Sequence, residues 1–446
     1  MFEAGLAMFA GPDGRITRFS RDGADLAKAV RLPNRAILPG LVNVHSHTFQ
    51  RVIRGRTEHR TASQRDTFWT WREAMYRAAN WLTPEQIYCA ARMAFLEMLL
   101  SGITTVGEFH YLHHGPGGVP YPNRNQMALE LLRAAKATGS RIALLRTAYV
   151  RAGFEKPADP AQVRFITAAV EDFIADTESL RAEVHGRASV GVAPHSIRAV
   201  PLGYLEEVVR YARRHSLPVH MHVAEQLAEV AECVEEHRLP PVALLHAHGL
   251  LDGGFTCIHG IHVTDAEIEC LAAANAMVCA CPITERNLGD GTAPADRWLD
   301  AGVRFCFGSD SNVQIDLLED ARSLEYDLRT KLLGRVVLAP DSSPDALAKR
   351  LFAGATETGA ESLGAPGGRL EAGRAADFFT VDLSDPSIAG ATEESLLNHI
   401  VFSMERTAIR DVCVDGEFVI RDGRHALGEE IVREFAGVQR NLWTKV

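Results

Sequence analysis

The fold of this chain is decided by the stretch Leu38-Pro39-Gly40-Leu41-Val42-Asn43-Val44-His45-Ser46-His47. An apolar run ends there in two histidines that are separated by one residue. Alternate residues of a β-strand point to the same face, so the imidazoles of His45 and His47 can reach one cation. One histidine near a strand end is usually an ordinary polar residue. Two at this spacing, directly after a buried strand, indicate a metal site whose other ligands come from other strand ends.

Length and composition set the class of protein. The chain has 446 residues, of which 46% are hydrophobic and 23% are charged. That length suits a large α/β barrel with an added domain, and the composition is typical of a globular protein. No apolar run approaches the roughly 20 residues that a membrane span needs, so we expect no membrane partner. The net charge of −10 and the lack of a basic stripe argue against nucleic acid as a partner.

The eight cysteines are scattered along the chain, and several lie inside apolar strands. This pattern predicts buried thiols in a reducing cytoplasm rather than a disulfide framework. Cys279-Ala280-Cys281 could suggest a zinc site, but no partner pair follows it. We therefore interpret these two cysteines as part of the barrel interior.

Apolar, β-rich runs alternate with helical segments between about residue 38 and residue 360. Eight such runs occur, at residues 41–45, 104–109, 142–149, 188–194, 218–223, 255–259, 276–281 and 303–309. One of the intervening helices has a clear start, with Thr83 as N-cap, Pro84 at the first helical position and Gln86 at the third. Gly102 marks its end. Eight such alternations predict an α/β fold, a closed parallel (β/α)8 TIM barrel.

The two ends of the chain have a different pattern of predicted secondary structure. Residues 1–38 contain short strands with turns, and residues 366–427 contain further strands, including a hairpin with an Asp-Gly turn. Because the small N-terminal strands cannot bury themselves alone, we expect the two ends to form one small β-sandwich beside the barrel. The predicted division is 1–38 and 366–427 for the β-sandwich, 39–365 for the barrel and 428–446 for a C-terminal helix and tail.

Polar and ionisable residues gather where the apolar strands end. In barrels of this type the active site lies at the carboxyl ends of the strands. Six of the predicted strands end in such residues, which are His45, His47 and Gln50, then Glu108, His110 and Tyr111, then His195 and Arg198, then His220, His222 and Glu225, then His259, and finally Asp310. Packing does not explain this distribution, which indicates an enzyme.

A single-metal site fits these strand ends. A catalytic Zn²⁺ takes roughly three or four ligands from His, Asp and Glu, and it lowers the pKa of a bound water toward about 7. We predict that His45, His47, His222 and Asp310 are the ligands. His220 has the same parity as His222 but lies deeper in the barrel, so we interpret it as a core residue. The fourth strand has no lysine that could be carbamylated to bridge two metals, so we expect one ion, with Fe²⁺ or Mn²⁺ also compatible.

These motifs resemble the amidohydrolase superfamily and, within it, the branch with one metal that deaminates amidine-like carbons. The resemblance rests on residues 39–47, on His222-Val223-Ala224-Glu225, His259 and Ser309-Asp310, and on Gly354-Ala355-Thr356, Gly364 and Gly373-Arg374-Ala375-Ala376-Asp377 near the C-terminus. The loops at 66–76, 108–114, 195–200 and 284–291 resemble those of the formimidoylglutamate deiminase family. That resemblance implies hydrolysis of N-formimidoyl-L-glutamate to N-formyl-L-glutamate and ammonia in histidine degradation, and it implies a homodimer.

A small-molecule dicarboxylate substrate requires cationic anchors in a chain whose net charge is negative. Arginine binds carboxylates through two parallel hydrogen bonds, and Arg72 and Arg198 are the candidate clamps. We expect Tyr111 and His195 to be hydrogen-bond partners of the substrate and Gln50 to lie near its formimidoyl group. A single loop arginine is more often a solvated surface charge, but the position of these two beside the matched motifs favours binding.

The expected reaction is attack of a metal-bound hydroxide on the formimidoyl carbon. Asp310 is suited to accept the proton of the water while it also contacts the metal. Glu225 could carry a proton to the departing nitrogen, and His259 could polarise the water or stabilise the intermediate. The roles of Asp310 and His259 could be exchanged, because the two would titrate as a coupled unit. The alternatives are an ordinary glutamate at a helix start for Glu225 and a core histidine for His259.

Two other functions compete with this one. A related aminohydrolase that acts on a purine, a pterin or another cyclic amidine would share every metal residue, but it would need aromatic stacking in place of two arginines. A metal-free barrel that acts as a scaffold or binding protein belongs to a different class, and the intact set of metal ligands argues against it.

Overall fold

Short antiparallel strands open the chain. The computed structural model describes residues 3–63 and 65–444. Strands β1 (Ala7–Ala10) and β2 (Ile16–Ser20) pair with each other, helix α1 (Gly23–Lys28) follows, and β3 (Arg35–Pro39) leads into the barrel.

Eight parallel strands form the centre of the described structure, hydrogen-bonded in chain order. They are β4 (Leu41–Ser46), β5 (Ile103–His110), β6 (Arg141–Ala148), β7 (Ala188–Pro194), β8 (Val219–Val223), β9 (Phe255–His259), β10 (Met277–Ala280) and β11 (Arg304–Phe307). Each predicted run is a strand at this position, so the predicted barrel is confirmed. Cys279 and Cys281 are fully buried, as expected for its interior.

Helices connect and cover the strands. Between β4 and β11 these are α2 (Phe68–Trp81), α3 (Pro84–Leu100), α4 (Gln126–Thr138), α5 (Val170–Glu183), α6 (Leu202–Arg214), α7 (Leu227–His237), α8 (Pro241–Ala247), α9 (Asp265–Ala273), α10 (Pro282–Leu288) and α11 (Ala295–Asp300). After β11 come α12 (Leu317–Leu332), α13 (Ala346–Gly354) and α14 (Glu357–Leu363). Short 3₁₀ helices occupy Thr48–Ile53, Pro116–Gly118 and Pro160–Gln162. No described helix is both long and apolar enough to cross a membrane.

The start of α3 has the predicted capping arrangement. The side chain of Thr83 accepts a hydrogen bond from the Gln86 amide, and the Gln86 side chain accepts one from the Thr83 amide. At the other end Ser101 is the C-cap, and Gly102 has a φ of 79°. That angle suits glycine, which has no Cβ to clash with the backbone.

The two ends of the chain build β-structure together. Strand β12 (Phe378–Asp382) pairs antiparallel with β3 on one side and with β13 (Ile409–Val414) on the other, and β14 (Glu417–Ile420) completes a four-stranded sheet. The turn between β13 and β14 is the predicted Asp-Gly pair, Asp415-Gly416. The pairing of β3 with β12 confirms a small β-domain formed by both terminal segments.

The last elements are α15 (Leu396–Phe402) and α16 (Gly428–Leu442), with 3₁₀ helices at Pro386–Ile388 and Arg406–Ala408. The exact division of the chain at residues 38, 365 and 427 stays a proposal. Residues 1, 2, 445 and 446, at the outer ends of that division, lie outside the described residues.

Helix α16 fixes the loop that follows the first barrel strand. Arg92 of α3 forms ion pairs of 2.7 Å with both Glu430 and Glu434 of α16. Further along α16, Gln439 Nε2 and, just beyond the helix, Trp443 Nε1 donate to the carbonyl of Val52, at 2.9 and 3.2 Å. Since Val52 lies in the 3₁₀ helix directly after the two histidines of β4, the C-terminal helix supports the metal-facing end of the barrel.

The barrel is closed by backbone contacts between β4 and the segment after β11. The amide of Asp310 donates to the carbonyl of His45, and the amide of His47 donates to the carbonyl of Asp310, both at 2.9 Å. Side chains reinforce this seam, because Asn43 Nδ2 donates to Ser309 Oγ at 2.7 Å and Asn43 Oδ1 accepts from the Ser309 amide at 3.0 Å. Three of the four predicted metal ligands, His45, His47 and Asp310, therefore lie on the line where the barrel closes.

Gly308 permits this close approach, and its substitution tests the seam. A Cβ added there would lie 2.6 Å from His45 Cβ and 2.9 Å from the His45 carbonyl oxygen. We expect Gly308→Ala to lower the free energy of unfolding by about 2 kcal/mol or more, because the two backbones must move apart. Gly203→Ala on α6 is the control, since an added Cβ there meets nothing within 4 Å. Urea unfolding of both variants measures the difference, and equal stability would contradict the tight seam.

Candidate active site

Four predicted metal ligands converge at the carboxyl end of the barrel. The Nε2 atom of His222 lies 3.1 Å from Nε2 of His45 and 3.4 Å from Nε2 of His47. Asp310 Oδ1 lies 3.3 Å from Nε2 of each of those two histidines. Ligand atoms bound tetrahedrally at about 2.1 Å from one ion are separated by about 3.4 Å, so this spacing fits a single metal ion.

The protonation state of the histidines also fits a metal site. Burial lowers the pKa of all three, well below the usual value for His45 and His222, so the imidazoles are neutral. Nδ1 of His47 donates to the Phe109 carbonyl at 2.8 Å and Nδ1 of His222 donates to the His195 carbonyl at 3.0 Å. These bonds place the proton on Nδ1 and leave the Nε2 lone pairs free for a cation.

His220 and His222 lie on the same strand but have different partners. His220 Nε2 lies 3.0 Å from the carbonyl oxygen of Ser362, and the side chain is completely buried. Its ring nitrogen therefore has a backbone partner within the barrel wall. Among the remaining histidines, Nε2 of His113 and of His114 likewise contact carbonyl oxygens, those of Thr147 and Ile166.

Metal analysis of two variants tests this assignment. We expect His222→Ala to lose most of its metal after dialysis, because one of four ligands is removed, whereas His220→Ala should keep about one equivalent per chain. His220→Ala is the matched control, since it removes the same side chain from the same strand and should lower only the melting temperature. Full metal content in His222→Ala would contradict the ligand set.

A group of acids surrounds His259 next to the metal ligands. His259 Nε2 lies 3.8 Å from Glu225 Oε1 and 3.9 Å from Asp310 Oδ2, and its Nδ1 lies 3.1 Å from Glu285 Oε1. Burial alone would lower the pKa of His259, but Glu225, the hydrogen bond to Glu285 and Asp310 raise it to about 10. Burial raises the pKa of Glu225. His259 therefore lies within reach of the other two predicted catalytic carboxylates through one bridging water.

Glu285 is a residue of this group to which the sequence assigned no role. It accepts a hydrogen bond of 2.9 Å from the Cys281 amide as well as the one from His259. The residue lies in the first turn of α10, directly after the seventh barrel strand, so the rule that strand ends carry the site could have found it. Its position fixes the orientation of the His259 ring.

Three non-glycine residues of the site have left-handed backbone angles. Ala224, His259 and Asp310 have φ values of 53°, 74° and 47°. Such angles cost roughly 1–3 kcal/mol each, and they persist when the surrounding structure holds them. Here they turn the chain sharply at the strand ends, so that the side chains of His222, Glu225 and Asp310 face one cavity.

The cavity above the metal ligands is lined by two arginines. Its volume, counted together with the open solvent at its mouth, is about 460 Å³, and it is bordered by His47, Gln50, Phe68, Trp71, Arg72, Met75, Tyr76, Tyr111, Tyr149, His195, Arg198, His222, Glu225, His259, Leu288 and Asp310. The guanidinium carbons of Arg72 and Arg198 lie 4.4 and 5.7 Å from the ring centre of Trp69. Nη1 of each arginine is buried and has no hydrogen-bond partner within residues 3–63 and 65–444. The buried Arg198 and the half-buried Arg72 thus each direct an N–H group without a described partner toward the cavity.

The other predicted substrate contacts also line this cavity. Gln50 Nε2 donates to Tyr111 Oη at 2.8 Å, and Gln50 Oε1 has no partner within the described part of the chain. His195 is half-buried, and desolvation of its ring together with the nearby Arg198 holds its pKa well below the usual value, so the ring is neutral. Tyr76 and Tyr149 are lining residues that the sequence did not single out. Tyr149 directly follows the third strand and was counted with its apolar run.

A buried carboxyl group anchors the loop after β4. Glu108 Oε1 accepts hydrogen bonds of 2.7 Å from both the amide and the hydroxyl of Thr48. Burial raises the pKa of Glu108 from 4.5 to about 7 in spite of these bonds. Because Thr48 is adjacent to His47, Glu108 supports a metal ligand through the backbone.

The raised pKa of Glu108 predicts a pH dependence of stability. Between pH 4.5 and about 7 the unfolded chain has lost this proton while the folded chain still holds it, so stability falls as the pH rises. We expect Glu108→Gln, which keeps the acceptor for Thr48, to remove up to about 3 kcal/mol of this decrease. Urea unfolding at pH 5 and pH 8 measures it. The exposed Glu269→Gln is the control, and identical profiles for the two variants would contradict the prediction.

Comparison with known proteins agrees with this architecture. Residues 36–419 match the amidohydrolase family. The chain is 40% identical over 409 residues to a formimidoylglutamate deiminase of Pseudomonas aeruginosa, covering 91% of this chain and 89% of that protein. It is 31% identical over 389 residues to a 5-methylthioadenosine/S-adenosylhomocysteine deaminase of Natronomonas pharaonis, covering 86% and 81%.

Solved structures share the whole fold. An amidohydrolase from Brucella melitensis superposes with a TM-score of 0.89 at 36% identity, covering 98% of this chain and 95% of that one. An adenosine deaminase from Xanthomonas campestris has a TM-score of 0.82 at 22% identity, covering 99% and 94%, and shows the same fold. The resemblance predicted from the strand ends and loops is thus confirmed, and the chain belongs to the amidohydrolase family.

Proposed function

We propose that this protein hydrolyses N-formimidoyl-L-glutamate to N-formyl-L-glutamate and ammonia. The observation that carries the proposal is the pair of guanidinium groups of Arg72 and Arg198, each with a buried Nη1 that has no partner among residues 3–63 and 65–444, in the cavity beside the four predicted metal ligands. A relative that is 40% identical bears the name of this activity. A purine or pterin ring would leave both cations without a counter-ion, at a cost of several kcal/mol.

The cavity suits a small dicarboxylate that carries an amidine-like carbon. Arginine pairs with carboxylates through two parallel hydrogen bonds, so Arg72 and Arg198 each hold one carboxylate of the substrate. Tyr111 and His195 donate to or accept from the same end of the substrate. Gln50 offers its free carbonyl oxygen to the formimidoyl nitrogen. The substrate is therefore fixed at one end by charge and presents its reactive carbon to the metal ligands.

In the reaction a water oxygen adds to the formimidoyl carbon, and the bond from that carbon to its terminal nitrogen breaks. His45, His47, His222 and Asp310 would hold a divalent ion, which would supply Lewis-acid chemistry by lowering the pKa of the water. Both protons of the water end on the departing nitrogen, which leaves as ammonia. The product is the N-formyl compound, so atoms and charge balance without another reactant.

Three side chains move these protons. Asp310 accepts the first proton from the water, and Glu225, whose raised pKa makes proton uptake easier, carries a proton to the departing nitrogen. His259 bears a proton at neutral pH and stabilises negative charge on the adding oxygen. Glu285 keeps the His259 ring in place through its Nδ1 hydrogen bond.

The biological setting follows from this activity. Zn²⁺ is the proposed native ion because three neutral imidazoles and one carboxylate form its usual ligand set, and Fe²⁺ or Mn²⁺ would also fit. All eight cysteines are free thiols, which favours a reducing cytoplasm. Formimidoylglutamate arises in histidine degradation, and we place the enzyme there as a homodimer.

A substrate panel tests the proposal. We expect the zinc-loaded protein to release ammonia from N-formimidoyl-L-glutamate, and not from guanine, adenosine or 5-methylthioadenosine. Arg198→Met should lower kcat/KM roughly 10- to 100-fold, because a charged hydrogen-bonded pair is lost, while metal content stays unchanged. Arg210→Met, at an exposed position on α6, is the control. Turnover of nucleosides alone would favour the related aminohydrolase, and unchanged kinetics of Arg198→Met would remove the clamp.

A further inference from the structure

A cluster of Tyr76, Tyr149 and Gln162 lies on the wall of the cavity and has no role in the chemistry above. Gln162 Nε2 donates to Tyr76 Oη at 2.6 Å and to Tyr149 Oη at 2.9 Å. Both tyrosines line the cavity, whereas Gln162 lies behind them and is 2% exposed. The three residues come from α2, from the end of β6 and from the 3₁₀ helix after it. They join two active-site loops.

The orientation of the Gln162 amide follows from its surroundings. In the observed orientation both amide hydrogens have an acceptor, and only Oε1 lacks a partner within the described residues. If the amide were turned around, two buried N–H donors would lose their acceptors, which costs more than one unpaired carbonyl oxygen. Neighbouring bonds hold the segment, since Asn80 Nδ2 donates to the Ala161 carbonyl at 2.9 Å. Gln162 is therefore a fixed donor.

A fixed donor behind two phenols determines where their protons point. Each phenol has one O–H and accepts through its oxygen lone pairs. Because Gln162 already donates to both oxygens, neither hydroxyl can donate to Gln162. The two hydroxyl oxygens are 3.5 Å apart, so at most one proton can be shared between them. At least one hydroxyl proton is then available to the cavity.

The hydroxyl groups of Tyr76 and Tyr149 lie beside the two arginines of the cavity, Arg72 and Arg198. The guanidinium carbon of Arg72 lies 5.4 Å from the ring centre of Tyr76. Tyr149 is 1% exposed, and burial raises its pKa, so its phenol keeps its proton. The cavity wall thus combines two positive charges with neutral O–H donors. That combination suits a carboxylate, which accepts several hydrogen bonds at once.

We propose that Gln162 is a positioning residue that sets Tyr76 and Tyr149 as hydroxyl donors to a substrate carboxylate held by the arginines. This inference rests on the proposed function and deepens it. The cluster then favours substrates with two carboxylates over analogues in which the side-chain carboxylate is an amide. It acts on substrate binding and not on the protons transferred at the metal.

Two substitutions of Gln162 test the proposal with opposite expectations. Gln162→Glu keeps the shape but replaces two donors with an acceptor that draws both hydroxyl protons away from the cavity and adds negative charge. We expect it to raise KM for N-formimidoyl-L-glutamate about 30-fold and Gln162→Met about 5-fold, with kcat within about 3-fold of wild type. For N-formimidoyl-L-glutamine the effect of Gln162→Glu should be smaller. A residue that only fills space would show the reverse order, with Glu milder than Met.

Substitutions of the two tyrosines test the proposal independently of Gln162. Tyr149→Phe and Tyr76→Phe should each raise KM about 3- to 10-fold, and unchanged KM in both would overturn the proposal even if Gln162→Glu did not fold. Gln314→Glu adds the same charge at an exposed position after β11 and should leave KM unchanged. A Gln162→Glu variant that binds substrate as well as Gln162→Met, or better, would also overturn it. If the wild type does not turn over formimidoylglutamate, the proposed function itself fails.

Discussion

The pairing of the Asp310 backbone with His45 and His47 is the contact on which the rest of the structure depends. Its two hydrogen bonds of 2.9 Å join the first barrel strand to the segment after the last, and the same three residues supply side chains to the metal site. Parallel sheets cannot end at an open edge inside such a fold without leaving buried amides unpaired, so the barrel must close here. Closure and ligand geometry are consequently one constraint. A change that opens the seam moves three of the four predicted ligands, so Gly308, which has no side chain of its own, affects the site through the position of His45.

The same constraint explains why several features that lower the stability of the fold occur together at one end of the barrel. Neutral histidines, left-handed backbone at His259 and Asp310, and the buried carboxyl group of Glu108 each lower stability when considered alone. They persist because neighbouring bonds hold them, for example Glu285 on His259 and Thr48 on Glu108. A cation that binds to these four side chains only in the folded state would offset part of this cost. The side chains at the metal-facing end are therefore arranged to hold a divalent ion.

The sequence predicted the parts of the site that depend on strand ends and failed on those that depend on contacts between loops. His45, His222 and Asp310 were recognisable because parallel strands bring their carboxyl ends together, whatever the loops do. Tyr149 was missed because a tyrosine at the end of an apolar run reads as one more apolar residue. No sequence pattern singles out Gln162, because its proposed role depends on a hydrogen bond to Tyr76, which lies 86 residues earlier in the chain. Periodicity reports which face a residue occupies, and it does not report which distant side chain will meet it.

This division also separates what relatives share from what distinguishes them. Deaminases with different named substrates align with this chain over most of its length, so the barrel and its metal-facing strand ends are compatible with several amidine carbons. Under the proposed function, selection among them comes from the cavity wall, where Arg72 and Arg198 place two positive charges in a chain whose net charge is −10. The global field repels a dianion, and only short-range contacts in a cavity of low dielectric can reverse that preference. Because a buried cation without a partner is costly, an uncharged ring does not replace the missing carboxylates. Under the proposed function, substrate choice therefore depends more on the negative charge that Arg72 and Arg198 require than on the shape of the cavity.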